Sequence, residues 1–85
     1  MENFRKLLNG KLPKDRIQSG MILSIVKNTK INDKQQLLSY LYNQELLCRE
    51  WLAKNKTAST MNNRRREYVR KLEDIRIMKK IVDKI

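Results

Sequence analysis

The sequence predicts an all-α fold: a small bundle of four or five helices, with a helix-turn-helix-like segment and a long basic helix at its C-terminal end. Three observations carry this expectation. Apolar residues recur mostly three and four positions apart, the spacing that places them on one helix face. Residues that stop or start helices, Asn9-Gly10, Pro13 and Asn32-Asp33, fall between the apolar runs. From Lys54 to Ile85 the chain has neither Gly nor Pro. At 85 residues, the whole chain (1–85) is read as a single helical domain with a modest core.

The first helix is expected from Phe4, Leu7 and Leu8, at spacing i, i+3, i+4. Asn9-Gly10 marks its end, because Gly takes the left-handed capping conformation without steric cost. Pro13 suits the first position of a second helix, where its missing N–H is not needed. Ile17, Met21 and Ile25 form that helix's expected stripe, joined by Leu23 or Val26, with Gly20 weakening it by about 1 kcal/mol relative to Ala. Residues 27–32 read as a turn. Asn32 or Asp33 caps the next helix, with Gln36 near the offset of a capping box and Ile31 placed to pack on Leu37. Leu37, Leu38, Leu41 and Tyr42 form its inner face, continued by Leu47, Cys48, Trp51 and Leu52. One long or two short helices are expected between residues 33 and 54. Tyr40 is the tyrosine expected to face solvent.

The last stretch has the clearest pattern. Met61, Tyr68, Leu72, Ile75, Met78, Val82 and Ile85 lie mostly three and four apart. It is also the most basic. From residue 54 onward there are 11 Lys and Arg against four acids, a net +7, whereas residues 1–53 carry nine against five, a net +4. The whole chain stands at +11, with pI ≈ 10.2. A surface so positive attracts polyanions by counterion release, whatever their sequence. Nucleic acid is the commonest such partner, and duplex DNA is the expected one here.

The segment LAKNKTASTMNNRRREYVRKL resembles the second half of bacterial helix-turn-helix DNA-binding domains, in which Ser and Thr open the recognition helix and Arg and Asn follow within two turns. The resemblance covers about 25 residues. Placing Cys48 at the motif's small-residue position puts Leu47, Trp51, Ala53, Ala58 and Met61 on its apolar positions. The turn then begins at Leu52, where the motif has Gly. The resemblance implies roles for the polar residues. Thr57, Ser59 and Thr60 would meet phosphates at a helix N-terminus, whose dipole favours anions. Asn62 and Asn63 would pair with adenine edges, and Arg64 with a base. Lys56, Arg65, Arg66 and Arg70 would hold phosphates. The resulting expectation is a small DNA-binding regulatory protein, encoded by a phage or other mobile element. The Lys-, Asn- and Ile-rich composition suggests an AT-rich source. A plain helical hairpin with a basic outer face is the competing reading of the same residues.

Two contacts follow from the apolar residues near the C-terminal end. Ile77, Met78, Ile81, Val82 and Ile85 are the candidate edge for a homodimer, or for a larger acidic protein partner that the chain inhibits or recruits. Ile77 and Ile81 lie beside the main stripe rather than on it. Other classes find little support. There is no His, no Gly-rich phosphate loop and no carboxylate pair amid apolar residues, so an enzyme is not expected. Glu45, Glu50, Glu73 and Asp74 read as surface charges. A single Cys and no His exclude an internal disulfide and a Cys/His zinc site, and no cofactor is expected. No apolar run is long enough to span a membrane and no signal-peptide core is present, so a cytoplasmic location and no membrane partner are expected.

Overall fold

The computed structural model describes residues 3–55 and 62–85, which form helices α1 (Asn3–Lys11), α2 (Ile17–Asn28), α3 (Lys34–Lys54) and α4 (Asn62–Asp83). Among the described residues there is no strand. The fold is therefore all-α. The stretch between residues 33 and 54 is one helix rather than two.

The frame is an antiparallel pair, α3 and α4, held at four levels. At one end, Lys34 Nζ donates to the Asp83 carbonyl at 3.1 Å. Next, Glu45 accepts from Lys79 Nζ at 3.2 Å. Further along, the rings of Trp51 and Tyr68 stack, centroids 4.2 Å apart and 6° from parallel. At the other end, Arg65 Nη1 donates to the Asn55 carbonyl at 3.1 Å. Partner numbers rise on α3 as they fall on α4. Helices of 21 and 22 residues, each about 32 Å long, make the molecule elongated, 45 × 24 × 21 Å. Its radius of gyration is 14.3 Å, against about 12 Å for a compact chain of this length.

α2 crosses onto this pair, and Gln18 Nε2 donates to Asp74 Oδ1 at 3.1 Å. α1 packs on α2. One cluster fills the centre: Leu8 and Leu12, Ile22 and Val26, Leu37, Leu41 and Cys48, then Ile75, Met78 and Val82. Burial of each large side chain contributes about 1.5–3 kcal/mol. Cys48 is a buried small hydrophobe.

Caps set the boundaries. Asp33 is the N-cap of α3, its Oδ1 accepting from the Gln36 N–H at 2.7 Å, and Gln36 Oε1 accepts from the Asn32 N–H at 3.0 Å. The first bond satisfies an N–H that the helix itself leaves unpaired, and the second pairs the N–H of the residue before the cap. Ile31 is half-buried against the core cluster, of which Leu37 is a member. Thr29 ends α2, its Oγ1 donating to the Ile25 carbonyl at 2.7 Å. Asn55 ends α3, its N–H and its Nδ2 both donating to the Trp51 carbonyl.

Several expectations are corrected. α1 does not stop at Leu8: it passes through Gly10, which takes no positive φ, and ends at Lys11. Its inner face is Phe4 and Leu8, Leu12 just past its end is buried with them, and Leu7 is exposed. Pro13 does not open α2. It lies in a turn whose carbonyl accepts from Ser19 Oγ at 2.6 Å, and the helix begins four residues later at Ile17. The inner face of α2 is Ser19, Ile22 and Val26. Of the expected stripe, Ile25 packs on the core and Val26 is buried, while Ile17 is 79% exposed and Met21 borders solvent. On α3, Tyr40 is half-buried against the core while Tyr42 is 54% exposed, the reverse of expectation. Leu47 also faces out. Met61 lies outside the described residues; the rest of the α4 stripe packs as expected.

Candidate nucleic-acid interface

The N-terminal half of α4 carries the candidate residues, and helical geometry sorts them. Successive residues are about 100° apart, so Arg64, Arg65 and Arg66 leave the axis in three directions. Arg65 turns toward the end of α3. It is half-buried, and its bond to the Asn55 carbonyl covers an acceptor that the end of that helix would leave unpaired. Arg66 turns to solvent. One turn on, Arg70 stands on the same face, and Asn63 lies one turn before it. Asn63, Arg66 and Arg70 thus form an exposed stripe at i, i+3, i+7. Arg64 is exposed on another side, in line with Glu67 and Lys71.

Asn62 opens α4. Lys56, Thr57, Ser59 and Thr60 lie outside the described residues.

The electrostatics of this end are one-sided. The first turn of α4 has no acid. Cations near a helix N-terminus oppose the helix dipole, each by about 0.3–1 kcal/mol where exposed. An anion placed there relieves the dipole and the arginines together. Among the described residues, the two ion pairs both end on Glu45, from Lys79 at 3.2 Å and Arg76 at 3.7 Å. The helical spacings Glu67 with Lys71 and Arg70 with Asp74 do not close into ion pairs, and Asp74 instead accepts from Gln18 on α2. Arg64, Arg66 and Arg70 are left exposed without a carboxylate partner among the described residues.

Glu45 is not the surface charge that its neighbours in sequence suggested. It is 7% exposed, in the seam between α3 and α4. Lys79 also lies over the Tyr42 ring, 5.3 Å from its centroid. Arg65, Arg76 and Lys79, three of the eleven cations from residue 54 onward, therefore serve the fold.

Compared with protein-family models, curated proteins and solved structures, the chain matches none. What the interface can do follows from its own residues.

α3 and α4 lie side by side along their lengths. Lys80 and Lys84 are exposed on the side of α4 that also carries Arg66 and Arg70, with the exposed Glu73 and the half-buried Ile77 between the two pairs. A second group of cations, Arg5, Lys6 and Lys27, lines a groove between α1 and α2. Of the expected contact edge near the C-terminal end, Met78 and Val82 are buried in the core of the single chain and are not available to a second molecule. Ile77, Ile81 and Ile85 are half-buried. No helix among the described residues is long and apolar enough to cross a membrane.

Proposed function

We propose that this chain is a small basic DNA-binding protein with a regulatory role, gripping duplex DNA through the solvent face of α4. Arg66 and Arg70 hold phosphates. Asn63, one turn before Arg66, is the residue placed to meet a base edge, and Arg64 adds a phosphate or guanine contact from the flank. The observation that carries the reading is the group of exposed arginines 64, 66 and 70 near the positive end of α4, without an acidic partner among the described residues. Acids lie one turn away, Glu67 from Arg64 and Arg70 and Glu73 from Arg70, but none closes an ion pair with these arginines among the described residues, which leaves the guanidinium groups exposed to take phosphates.

The side-by-side pairing of α3 and α4 favours a hairpin that lays α4 along the duplex over the crossed helices of a helix-turn-helix. Most of the affinity then comes from phosphates, and base preference is modest. The test is the variant Arg66→Ala/Arg70→Ala, measured by anisotropy on random-sequence duplex. Removing two phosphate contacts flattens the plot of log affinity against log salt by about 2, since each contributes about 0.9. An unchanged slope would refute the assignment of these two residues.

A further inference from the structure

A groove runs between the turn that joins α1 to α2 and the C-terminal half of α4. Its α4 wall is apolar: Ile77, Ile81 and Ile85, at i, i+4 and i+8, each half-buried. Pro13 stands on the opposite wall. Four cations line it, Lys11 and Arg16 from one side and Lys80 and Lys84 from the other, and all four are exposed. Asp15 is the one acid of the lining. From Ile77 to Ile85 the apolar wall extends about 12 Å along the helix axis, a little over two turns.

We infer that this groove docks an acidic amphipathic helix of a partner protein, about two to three turns long, with aliphatic residues toward the isoleucines and carboxylates toward the lysines and Arg16. The chemistry selects this occupant. Half-buried isoleucines offer a phosphate nothing, and they are no platform for a base, which stacks on aromatic rings or guanidinium planes. A neutral apolar segment would match the wall but leave four cations facing it unpaired. A segment carrying both features matches both. The isoleucine repeat at helical spacing fits a helix laid in the groove, with its own anchors at i, i+3 and i+4. The cations set the rate of encounter and the apolar contact sets the lifetime of the complex. The groove takes Lys80 and Lys84 from the solvent side of α4 but none of the residues assigned to DNA, Asn63, Arg64, Arg66 and Arg70, so different variants test the two readings.

The experiment uses the full chain, freed of nucleic acid, and a fluorescent peptide of about 12 residues in which Leu at i, i+3 and i+4 alternates with Glu. A second peptide of the same charge has Ser in place of each Leu. The first is expected to bind at least about tenfold more tightly than the second, which corresponds to 1.4 kcal/mol or more. Lys80→Glu/Lys84→Glu, at two exposed positions, is expected to weaken the Leu peptide by about tenfold or more. Arg66→Ala/Arg70→Ala is expected to leave it unchanged. Unchanged helix content by circular dichroism shows that each variant is folded. Equal binding of the two peptides would overturn the proposal, reducing the groove to a general polyanion surface of the kind nucleic acid would use. So would a loss in the Arg66/Arg70 variant as large as that in the Lys80/Lys84 variant, or no binding of the Leu peptide at low salt.

Discussion

Arg65 Nη1 donates to the Asn55 carbonyl, 3.1 Å away, and this bond separates Arg65 from the two arginines beside it. At the other end of the hairpin, Lys34 Nζ makes the matching bond to the Asp83 carbonyl. Each long helix thus supplies the cation that covers the last carbonyls of the other, where the helix dipole is negative. Arg65 belongs to the fold, while Arg64 and Arg66 face solvent.

That division predicts opposite effects at adjacent positions. Arg65→Ala is expected to cost about 1 kcal/mol of stability through its hydrogen bond to the end of α3. Arg66→Ala is expected to stay within about 0.5 kcal/mol of the parent. Urea unfolding followed by the emission of Trp51, the one tryptophan of the chain, measures both. Equal losses in the two variants would remove the structural role given to Arg65.

Glu45 joins α3 to two cations of α4 from a nearly buried position. Replacing Lys79 by Ala leaves that carboxylate with Arg76 alone, at 3.7 Å. A buried charge that loses its hydrogen-bonded partner destabilises by about 1–3 kcal/mol. Glu45→Leu removes the charge altogether, and its two partners can turn to water, so it is expected to cost less than Lys79→Ala. Thermal or urea unfolding of the two variants gives the order, and the reverse order would contradict the account of this seam.

Trp51 and Tyr68 lie in parallel contact across the hairpin. A double-mutant cycle with Trp51→Leu and Tyr68→Leu is expected to return a coupling of about 0.5–1.5 kcal/mol beyond lost burial. Because the cycle removes Trp51, unfolding is followed by circular dichroism. Additive losses would mean that the rings stack without mutual stabilisation.

Asp33→Ala is expected to cost about 0.5–2 kcal/mol through loss of the bond to the Gln36 N–H. Asp33→Asn, which keeps an acceptor oxygen at the N-cap, is expected to recover most of that loss. Equal losses from the two would point to charge rather than the cap bond.

The sequence made some of this legible and not the rest, for physical reasons. α4 was plain because its apolar residues keep one period from Tyr68 to Ile85 and its outer face is almost wholly charged. The α3 N-cap was plain because Asp33 and Gln36 stand at the one spacing that lets both side chains reach backbone N–H groups. The inner face of α3 was not. Leu38, Tyr40, Tyr42, Leu46, Leu47 and Leu52 point to several sides, and which are covered depends on where α2 and α4 lie. Gly10 misled because a glycine stops a helix only when the chain uses its left-handed conformation, and here it does not. The role of Glu45 was hidden because its partner, Lys79, is 34 residues away. Four of the expected phosphate contacts, Lys56, Thr57, Ser59 and Thr60, fall outside the described residues, so the candidate interface rests on Asn63, Arg64, Arg66 and Arg70.

The most direct measurement is anisotropy of a labelled random-sequence DNA duplex titrated with the chain across a salt series. Arg64, Arg66 and Arg70 together predict tight binding at low salt, with log affinity falling against log salt at a slope of about −3 or steeper. No binding at low salt by a chain of net charge +11 would contradict the proposed function, and so would binding insensitive to salt.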